Sequence, residues 1–301
     1  MLTDEIRERW NLFKRFDRNL FYYQVLLIVI VLVFHQSIPA WGWAIAEKVT
    51  IILLLFIAIP FLEGFNNAVA KFFRYTYIVF AFPFLYWQVG PLLHAVFPGE
   101  FDPFIIGLDT SIWGVLPNIW VQKWVHPLLT EIMQIGYSIY WITIPLSAGI
   151  FYFRKKLSHY EYLMNMVTIT FFVSYLMFIF FPVAGPRFYI AEYITASYKG
   201  LWVADFLRGF VKTAGYRGGA FPSSHVAVAV AILVYMLKFE RSVALKVFLP
   251  MVVMLSLATV YGQYHYLFDV TFGLIMGVVF GRMGVVWATA KIDSNSHPKT
   301  E

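Results

Sequence analysis

Long apolar stretches dominate the chain from about residue 20 to about residue 289. A helix needs about 20 mostly apolar residues to cross the hydrocarbon of a bilayer. The stretches are apolar on all sides, whereas a helix packed on a soluble core shows a single apolar stripe. The pattern predicts about eight transmembrane helices, at 20–38, 43–62, 75–93, 128–150, 160–182, 222–238, 246–263 and 267–289.

Composition leads to the same class of protein. Hydrophobic residues make up 60% of the chain and charged residues only 13%, whereas a soluble domain carries about a quarter charged residues. No polar block is long enough to form a separate soluble domain. We therefore expect an all-α fold, a polytopic membrane helical bundle. The chain has no cysteine, which excludes disulfides, thiolate nucleophiles and Cys-ligated metal sites.

The distribution of Lys and Arg predicts the orientation. The net charge of +6 suits contact with anionic lipid in cytoplasmic loops better than contact with nucleic acid, so no nucleic-acid partner is expected. With both ends cytoplasmic, most cations fall on the inner side. The outer loop at 183–221 is the exception, because it carries five cations, Arg187, Lys199, Arg208, Lys212 and Arg217.

Three polar clusters fall on that same outer side. They lie at 185–187, at 217–225 and at 264–269, the last two at the entries to the sixth and eighth predicted spans. The chain crosses inward through span six and returns through span seven, so His225 and His265 should reach the same membrane depth. We expect the three clusters to form one site.

The residue types in these clusters suit phosphoryl transfer. His265 and Asp269 are four residues apart and share one helix face, so the carboxylate can fix the tautomer of a nucleophilic histidine. His225 is then the acid/base. Phosphate is held by Arg187 and Arg217 through bidentate hydrogen bonds, and by Ser223 and Ser224 at a helix N-terminus.

Other readings of the same residues stay open. His265 and Asp269 alone could form a structural hydrogen bond, and two histidines with an aspartate could bind zinc. The arginines would repel a metal ion and attract a phosphate, so neither a metal nor a cofactor is predicted.

Ionisable residues near the predicted spans are weaker candidates for substrate binding. Glu131 could position a polar headgroup or bond to a neighbouring helix. Asp102 and Asp109 could contact headgroup hydroxyls or lie in a solvated loop, within a segment at 94–127 that we expect to lie on the membrane surface. Lys212 could supply a further cation. Glycines at 273, 277 and 281 predict a close helix–helix contact, with a dimer interface as the alternative.

These motifs resemble the type-2 phosphatidic acid phosphatases. That family carries Lys-x6-Arg-Pro, then Pro-Ser-Gly-His, then Ser-Arg-x5-His-x3-Asp. Here the second motif is matched by Pro222-Ser223-Ser224-His225, and the third keeps His265 and Asp269. The resemblance implies a metal-free nucleophile at His265, an acid/base at His225 and a phosphatase-type core. It places a catalytic core at 125–290. The hydropathy pattern predicts N-terminal membrane helices with an interfacial loop before it (1–124), and the polar stretch after it (291–301) predicts a disordered tail.

Departures from the pattern point to one branch of the family. Phe180 replaces the first-motif Lys, and Ala258-Thr259 replaces Ser-Arg. This reduced pattern, with an upstream Phe-Asp-Pro-x4-Leu-Asp segment, is similar to the inositolphosphotransferases, which include inositol phosphorylceramide synthases.

The sequence therefore predicts transfer of a phosphoryl or phospho-headgroup from a membrane phospholipid through phosphohistidine, at the non-cytoplasmic face. A headgroup phosphotransferase that uses ceramide or another lipid alcohol as acceptor is favoured. A lipid phosphatase, with water as acceptor, is the alternative. A lipid transporter or scramblase without chemistry is the alternative of another class.

Overall fold

The computed structural model describes residues 2–296, without the side chains at 2–3, 210–214 and 291–296. Helices and turns make up this part of the chain, and no strand occurs in it; the one β-type contact there is an isolated bridge between Val183 and Gly219. The prediction of an all-α helical bundle is confirmed. The chain divides into two compact units, Met1–Val96 and Phe97–Glu301.

The described residues of the first unit contain four α-helices. They are α1 (Leu2–Asn11), α2 (Arg15–Val33), α3 (Trp41–Glu63) and α4 (Ala68–Trp87). The chain reverses between α2 and α3, and α3 packs against both α2 and α4. Most of α3 is exposed and apolar, as expected of a helix whose solvent is lipid.

The second unit contains the remaining helices. They are α5 (Asp102–Trp113), α6 (Pro117–Trp120), α7 (Pro127–Ser138), α8 (Tyr140–Phe153), α9 (Leu157–Phe180), α10 (Pro186–Tyr189), α11 (Val203–Ala214), α12 (Ser224–Phe239), α13 (Arg241–Val243), α14 (Leu249–Tyr261) and α15 (Leu267–Ser296). A π-helical turn, Ala244–Phe248, joins α13 to α14 without a break. Residues 297–301, part of the predicted polar tail, lie outside the described residues.

Six helices in the described part of the chain are long and apolar enough to cross a membrane, or up to seven if a bent pair counts as one span. The chain is therefore a multi-pass membrane protein. Two of the eight predicted spans do not form a single long helix. The one at 128–150 is α7 followed by α8, and the one at 222–238 is α12, which has only 16 residues. Helix α12 is buried nearly throughout, because α9, α14 and α15 pack around it.

The bent pair lies where the sequence analysis expected an interfacial segment. Helix α5 and the stretch Pro117–Trp124 meet at an angle of 73°. Gly114 ends α5 with a φ of 72°, a left-handed conformation that glycine adopts without a steric penalty. Pro117 starts the next turn at a position where its missing N–H costs nothing.

Helices α12 and α15 pack closely along the predicted glycine ridge. A Cβ on Gly277 would lie 2.6 Å from the carbonyl oxygen of Ala227 and 2.6 Å from Cβ of Val230, and Gly273 and Gly281 are similarly crowded by α12. Only glycine permits this approach of two backbones. The prediction of a close helix–helix contact is confirmed, and the contact holds together the two helices whose N-terminal ends carry the candidate histidines.

Candidate active site

Two histidines meet at one end of the second unit. His225 is the second residue of α12, and His265 lies in the turn between α14 and α15. Their ring centroids are 5.9 Å apart. His265 is buried and His225 is half-buried. The structure thus brings together residues 40 positions apart, as the predicted chain path required.

A backbone carbonyl orients the ring of His265. Its Nδ1 lies 2.8 Å from the carbonyl oxygen of Ala220, and because a carbonyl only accepts hydrogen bonds, Nδ1 carries the proton. The lone pair is then on Nε2, the nitrogen available for attack. Burial, followed by the nearby His225 and Arg187, lowers the pKa of His265 from 6.5 to about 3, so the free ring is neutral near pH 7.

Asp269 does not make the hydrogen bond that the sequence analysis expected. Its Oδ2 is 3.6 Å from His265 Nδ1, beyond hydrogen-bond range, and instead accepts from the backbone N–H of Tyr266 at 2.8 Å. The physical reason is local, because Asp269 lies in the first turn of α15 and its carboxylate satisfies a backbone donor at the start of that helix. The Asp269 carboxyl group therefore lies beside His265 without a hydrogen bond to it, and the carbonyl of Ala220 orients the ring.

His225 is surrounded by tyrosines that the sequence analysis missed. Its Nε2 lies 3.2 Å from the hydroxyl of Tyr137, and the ring of Tyr140 packs 4.3 Å from it, centroid to centroid. The other nitrogen, Nδ1, is buried without a hydrogen-bond partner among the described residues. The two tyrosines stand three apart in an apolar stretch, a spacing that places both on one helix face and was the available signal.

Arg187 lies beside the histidine turn. It belongs to α10, and its backbone N–H donates to the carbonyl of Gln263 at 3.2 Å. Its guanidinium packs over the rings of Phe188 and Tyr264 at 4.7 and 5.6 Å. A Cβ on Gly215 would lie 1.9 Å from an Arg187 nitrogen, so glycine is required there for the arginine to take this position.

Arg217 is engaged elsewhere. Its guanidinium forms a bidentate pair with Glu100, at 2.6 and 2.9 Å, and its side chain is 53% exposed. Of the two arginines predicted to bind phosphate, Arg217 therefore has its N–H donors paired with Glu100. The side chain of Lys212, the further predicted cation, lies outside the described residues.

The two serines are buried at the start of α12. The backbone N–H of Ser223 donates to the carbonyl of Asp269 at 3.1 Å, which ties the starts of α12 and α15 together. Among the described side chains, Ser223 Oγ, His225 Nδ1 and Asp269 Oδ1 are buried without hydrogen-bond partners. Buried polar groups nearly always have partners, so these three atoms are candidates to bond a polar ligand.

Three acidic residues predicted as weak substrate contacts bind the protein backbone instead. Asp102 accepts from the N–H groups of Ala184 and Gly185 at 2.7 and 2.9 Å and from the Tyr266 hydroxyl at 2.9 Å. Asp109 accepts from the N–H of Leu267 at 3.0 Å. Both aspartates are fully buried, so the solvated-loop alternative is wrong.

The third acid, Glu131, holds the start of α11. Its carboxylate accepts from four consecutive backbone N–H groups, at positions 201–204, over 2.7 to 3.3 Å. The alternative of a hydrogen bond to a neighbouring helix describes Glu131 better than a headgroup contact does.

Three amides, also missed from the sequence, support the histidine turn. Asn118 donates to the carbonyl of His265 at 3.1 Å. Gln263 donates to the carbonyl of Asn118 at 2.9 Å and to the Tyr198 hydroxyl at 2.7 Å. Gln134 accepts from the Tyr264 hydroxyl at 2.9 Å. Amides in apolar segments were the sequence signal, although nothing local indicated their partners.

Within the described residues, no group of three or more His, Asp or Glu side chains is arranged to hold a metal ion. The Arg187 guanidinium acts electrostatically on both histidines, and the Asp269 carboxyl group lies 3.6 Å from His265 Nδ1. This set suits a phosphate ester, which has oxygens for the cation and a phosphorus for the nucleophile.

The sequence model of the PAP2 superfamily matches residues 104–282. The chain belongs to the PAP2 superfamily. No curated protein and no solved structure is a significant match. The matched region runs from α5 into α15 and contains His225, His265, Asp269 and Arg187. PAP2 superfamily members are generally phosphatases or phosphotransferases, and lipid phosphatase or phosphotransferase chemistry is consistent with this membership.

Proposed function

We propose that this PAP2 superfamily protein transfers a phosphoryl or phospho-headgroup from a membrane phospholipid through a phosphohistidine at His265. The observation that carries the proposal is the hydrogen bond from His265 Nδ1 to the carbonyl of Ala220 at 2.8 Å. It leaves Nε2 unprotonated in a buried site, with a second histidine 5.9 Å away, centroid to centroid.

The reaction has two steps. His225 takes up a proton when the anionic phosphate binds beside it. Nε2 of His265 attacks phosphorus, the bond from phosphorus to the leaving lipid oxygen breaks, and His225 gives its proton to that oxygen. His225 then removes a proton from the acceptor hydroxyl, whose oxygen attacks phosphorus and releases His265. Asp269, 3.6 Å from the ring, stabilises the positive charge on His265 during both steps.

Arg187 and the serines hold the phosphate. A guanidinium presents a planar fork of N–H donors to phosphate oxygens, and Ser223 Oγ offers a buried hydroxyl without a partner. We expect Arg187→Gln to slow transfer strongly and Arg217→Gln, which removes an exposed pair with Glu100, to have little effect on the rate. Initial rates of the two purified variants test this, and equal losses would contradict the assignment of Arg187.

A lipid alcohol is the favoured acceptor. His265 is buried, the rings of Tyr137 and Tyr140 pack against His225, and the ring of Tyr264 packs against Tyr137. Exclusion of water from such a site protects a reactive intermediate from hydrolysis. These features support a headgroup phosphotransferase over a lipid phosphatase, in keeping with the resemblance to the inositolphosphotransferases.

The deciding experiment is transfer by the purified, reconstituted protein in the presence of a chelator. A panel of phospholipid donors is incubated with and without a ceramide or diacylglycerol acceptor. His265→Ala and His225→Ala are the test variants, and His35→Ala, which alters an exposed histidine in the first unit, is the matched control.

Acceptor-dependent formation of a phosphorylated lipid, lost in both test variants and kept in the control, is the expected result. Free phosphate or a free phospho-headgroup released without an acceptor would instead identify a lipid phosphatase or phosphodiesterase. Full activity in His265→Ala would reject the histidine mechanism and favour a non-catalytic lipid transporter or scramblase.

We also propose that the site faces the non-cytoplasmic side, since the inner loops carry most of the Lys and Arg. The absence of cysteine makes single-cysteine mapping direct. Lys199→Cys should react with a membrane-impermeant maleimide in intact cells, whereas Lys155→Cys should react only after permeabilisation. The reverse pattern would place the site on the cytoplasmic face.

A further inference from the structure

The first unit, Met1–Val96, lies outside the region matched by the PAP2 superfamily, and the catalytic proposal uses none of its residues. It contains a polar cleft of about 340 Å³, a volume at the lower end of ligand-binding pockets. The cleft is lined by residues from the start of α2, the end of α3 and the start of α4, among them Lys14, Glu63, Asn66, Asn67, Lys71 and Arg74.

The cleft has a rigid, charged floor. Arg74 is buried and pairs with Asp17 at 2.6 Å and with Glu63 at 2.8 Å. A further bond from Arg74 reaches the carbonyl of Leu12 at 3.0 Å, and Tyr77 donates to Asp17 at 2.5 Å. A buried ion pair with these additional hydrogen bonds holds one geometry, because any displacement would leave a charge unpaired. The cleft is therefore preformed.

Two lysines line the cleft beside this network. Lys14 lies 4.6 Å from the centre of the Tyr75 ring, and its Nζ is 4.0 Å from Glu63, longer than a direct hydrogen bond. Lys71 is exposed. Lys14, Lys71 and Arg74 give the cleft and its floor three positive charges against the two carboxylates of Asp17 and Glu63. The amides of Asn66 and Asn67 add hydrogen-bond donors. The cleft is suited to an anion.

Its surroundings are those of a lipid headgroup. The cleft lies where three apolar helices begin or end, and such ends are at the boundary between membrane and water. Large apolar side chains close to it in the chain are exposed, among them Phe61, Phe65 and Val69. Basic pockets between transmembrane helices bind anionic headgroups while the acyl chains lie along the helices.

We propose that the Lys14–Lys71 cleft binds the phosphate-bearing headgroup of an anionic glycerophospholipid, at a site separate from the two histidines. The lysines contact the phosphate, the amides of Asn66 and Asn67 donate to headgroup oxygens, and the exposed phenylalanines contact the acyl chains. The inference does not rest on the catalytic proposal, because all its residues belong to the first unit.

Binding of dioctanoyl phosphatidylglycerol to the full-length protein in detergent tests the proposal, with native mass spectrometry counting the bound lipids. Lys14→Gln/Lys71→Gln is the test variant. Lys155→Gln/Lys246→Gln, which changes two exposed lysines of the second unit, is the control for charge. Arg187→Gln/His265→Ala removes binding at the histidine site. Inorganic phosphate and dioctanoyl phosphatidylcholine are the competing probes.

We expect the test variant to bind phosphatidylglycerol about tenfold or more weakly, from the loss of two lysine–headgroup contacts. The charge control and the histidine-site variant should keep the tight site, and phosphatidylcholine should compete poorly. Unchanged affinity in the test variant, or an equal loss in the charge control, would overturn the proposal. Loss of the tight site only in Arg187→Gln/His265→Ala would assign it to the histidines. Full competition by inorganic phosphate would replace the lipid with a free anion.

If the double variant does not elute as a single folded species, Lys71→Gln alone is the substitute, since Lys71 is exposed and its replacement removes no buried contact. It should show the same loss of phosphatidylglycerol binding to a smaller degree. No change in binding by this variant would count against the cleft.

Discussion

Asp102 joins the segment that carries Arg187 to the turn that carries His265. Its carboxylate accepts from the N–H groups of Ala184 and Gly185, just before α10, and from the Tyr266 hydroxyl. These partners are 82, 83 and 164 residues away along the chain. Asp102→Asn keeps the shape of the side chain but replaces one accepting oxygen with an amino group, which then faces a donor.

The magnitude follows from those three bonds. Hydrogen bonds to a charged group contribute about 1.5–3 kcal/mol each, so Asp102→Asn should destabilise the protein by roughly that amount or more. Displacing a catalytic group by about 1 Å costs about 100-fold in rate, so we also expect a large loss of turnover at saturating lipid. Tyr266→Phe removes only one of the three bonds and should have a smaller effect on both quantities.

The assay is a double-mutant cycle on thermal unfolding and on transfer rate. It uses Asp102→Asn, Tyr266→Phe and the combination, with Asp205→Asn as the exposed-carboxylate control. If Asp102 acts through Tyr266, Tyr266→Phe should lower stability and transfer rate less in the Asp102→Asn protein than in the unmodified protein. Strict additivity, or full turnover in a destabilised Asp102→Asn, would refute the reasoning and leave Asp102 with a purely structural role.

Three further predictions follow from the geometry. Gly277→Ala should lower the unfolding midpoint, because the added Cβ would lie 2.6 Å from atoms of α12 and overpacking costs about 1–3 kcal/mol. Gly107→Ala is the control, because a Cβ there would meet no atom within 4 Å. Equal midpoints for the two variants would contradict the close contact between α12 and α15. Glu131→Gln should speed hydrogen exchange at 201–204, because the Glu131 carboxylate accepts hydrogen bonds from these N–H groups. Unchanged exchange would mean that the carboxylate does not protect the start of α11. Burial lowers the pKa of His265 from 6.5 to about 3, so between these pH values the unfolded chain binds a proton that the folded chain does not, and stability should fall as the pH drops from about 6.5 towards 3. His265→Gln should flatten this dependence when unfolding is measured across that pH range. An unaltered slope would reject the shifted pKa.

The membrane class of this protein was readable from the sequence because it depends on a local property. A stretch of apolar residues long enough to cross a bilayer is recognisable without its neighbours. The glycine ridge was readable for a similar reason, since a small residue at every fourth position lines one face of a single helix. The two histidines were brought together correctly because the chain has to return through one span to reach the second.

The count of spans was less well determined. Helix α12 is only 16 residues long, and whether so short an apolar helix crosses lipid or lies inside the bundle depends on the helices around it. The bend between α5 and α6 likewise depends on a backbone turn at Gly114. Hydropathy, averaged over a window of residues, does not register such local breaks. For the same reason the sequence predicted one span at 128–150, where the structure has α7 and α8.

Only the tertiary structure decided which groups face each other in the site. The carbonyl of Ala220 orients His265 in place of Asp269, and a backbone carbonyl has no sequence signature because every residue has one. Glu100 forms an ion pair with Arg217, and Asp102 accepts a hydrogen bond from the loop before α10. A sequence pattern identifies the charge a residue carries, but its partner is fixed by contacts between segments that lie far apart in the chain.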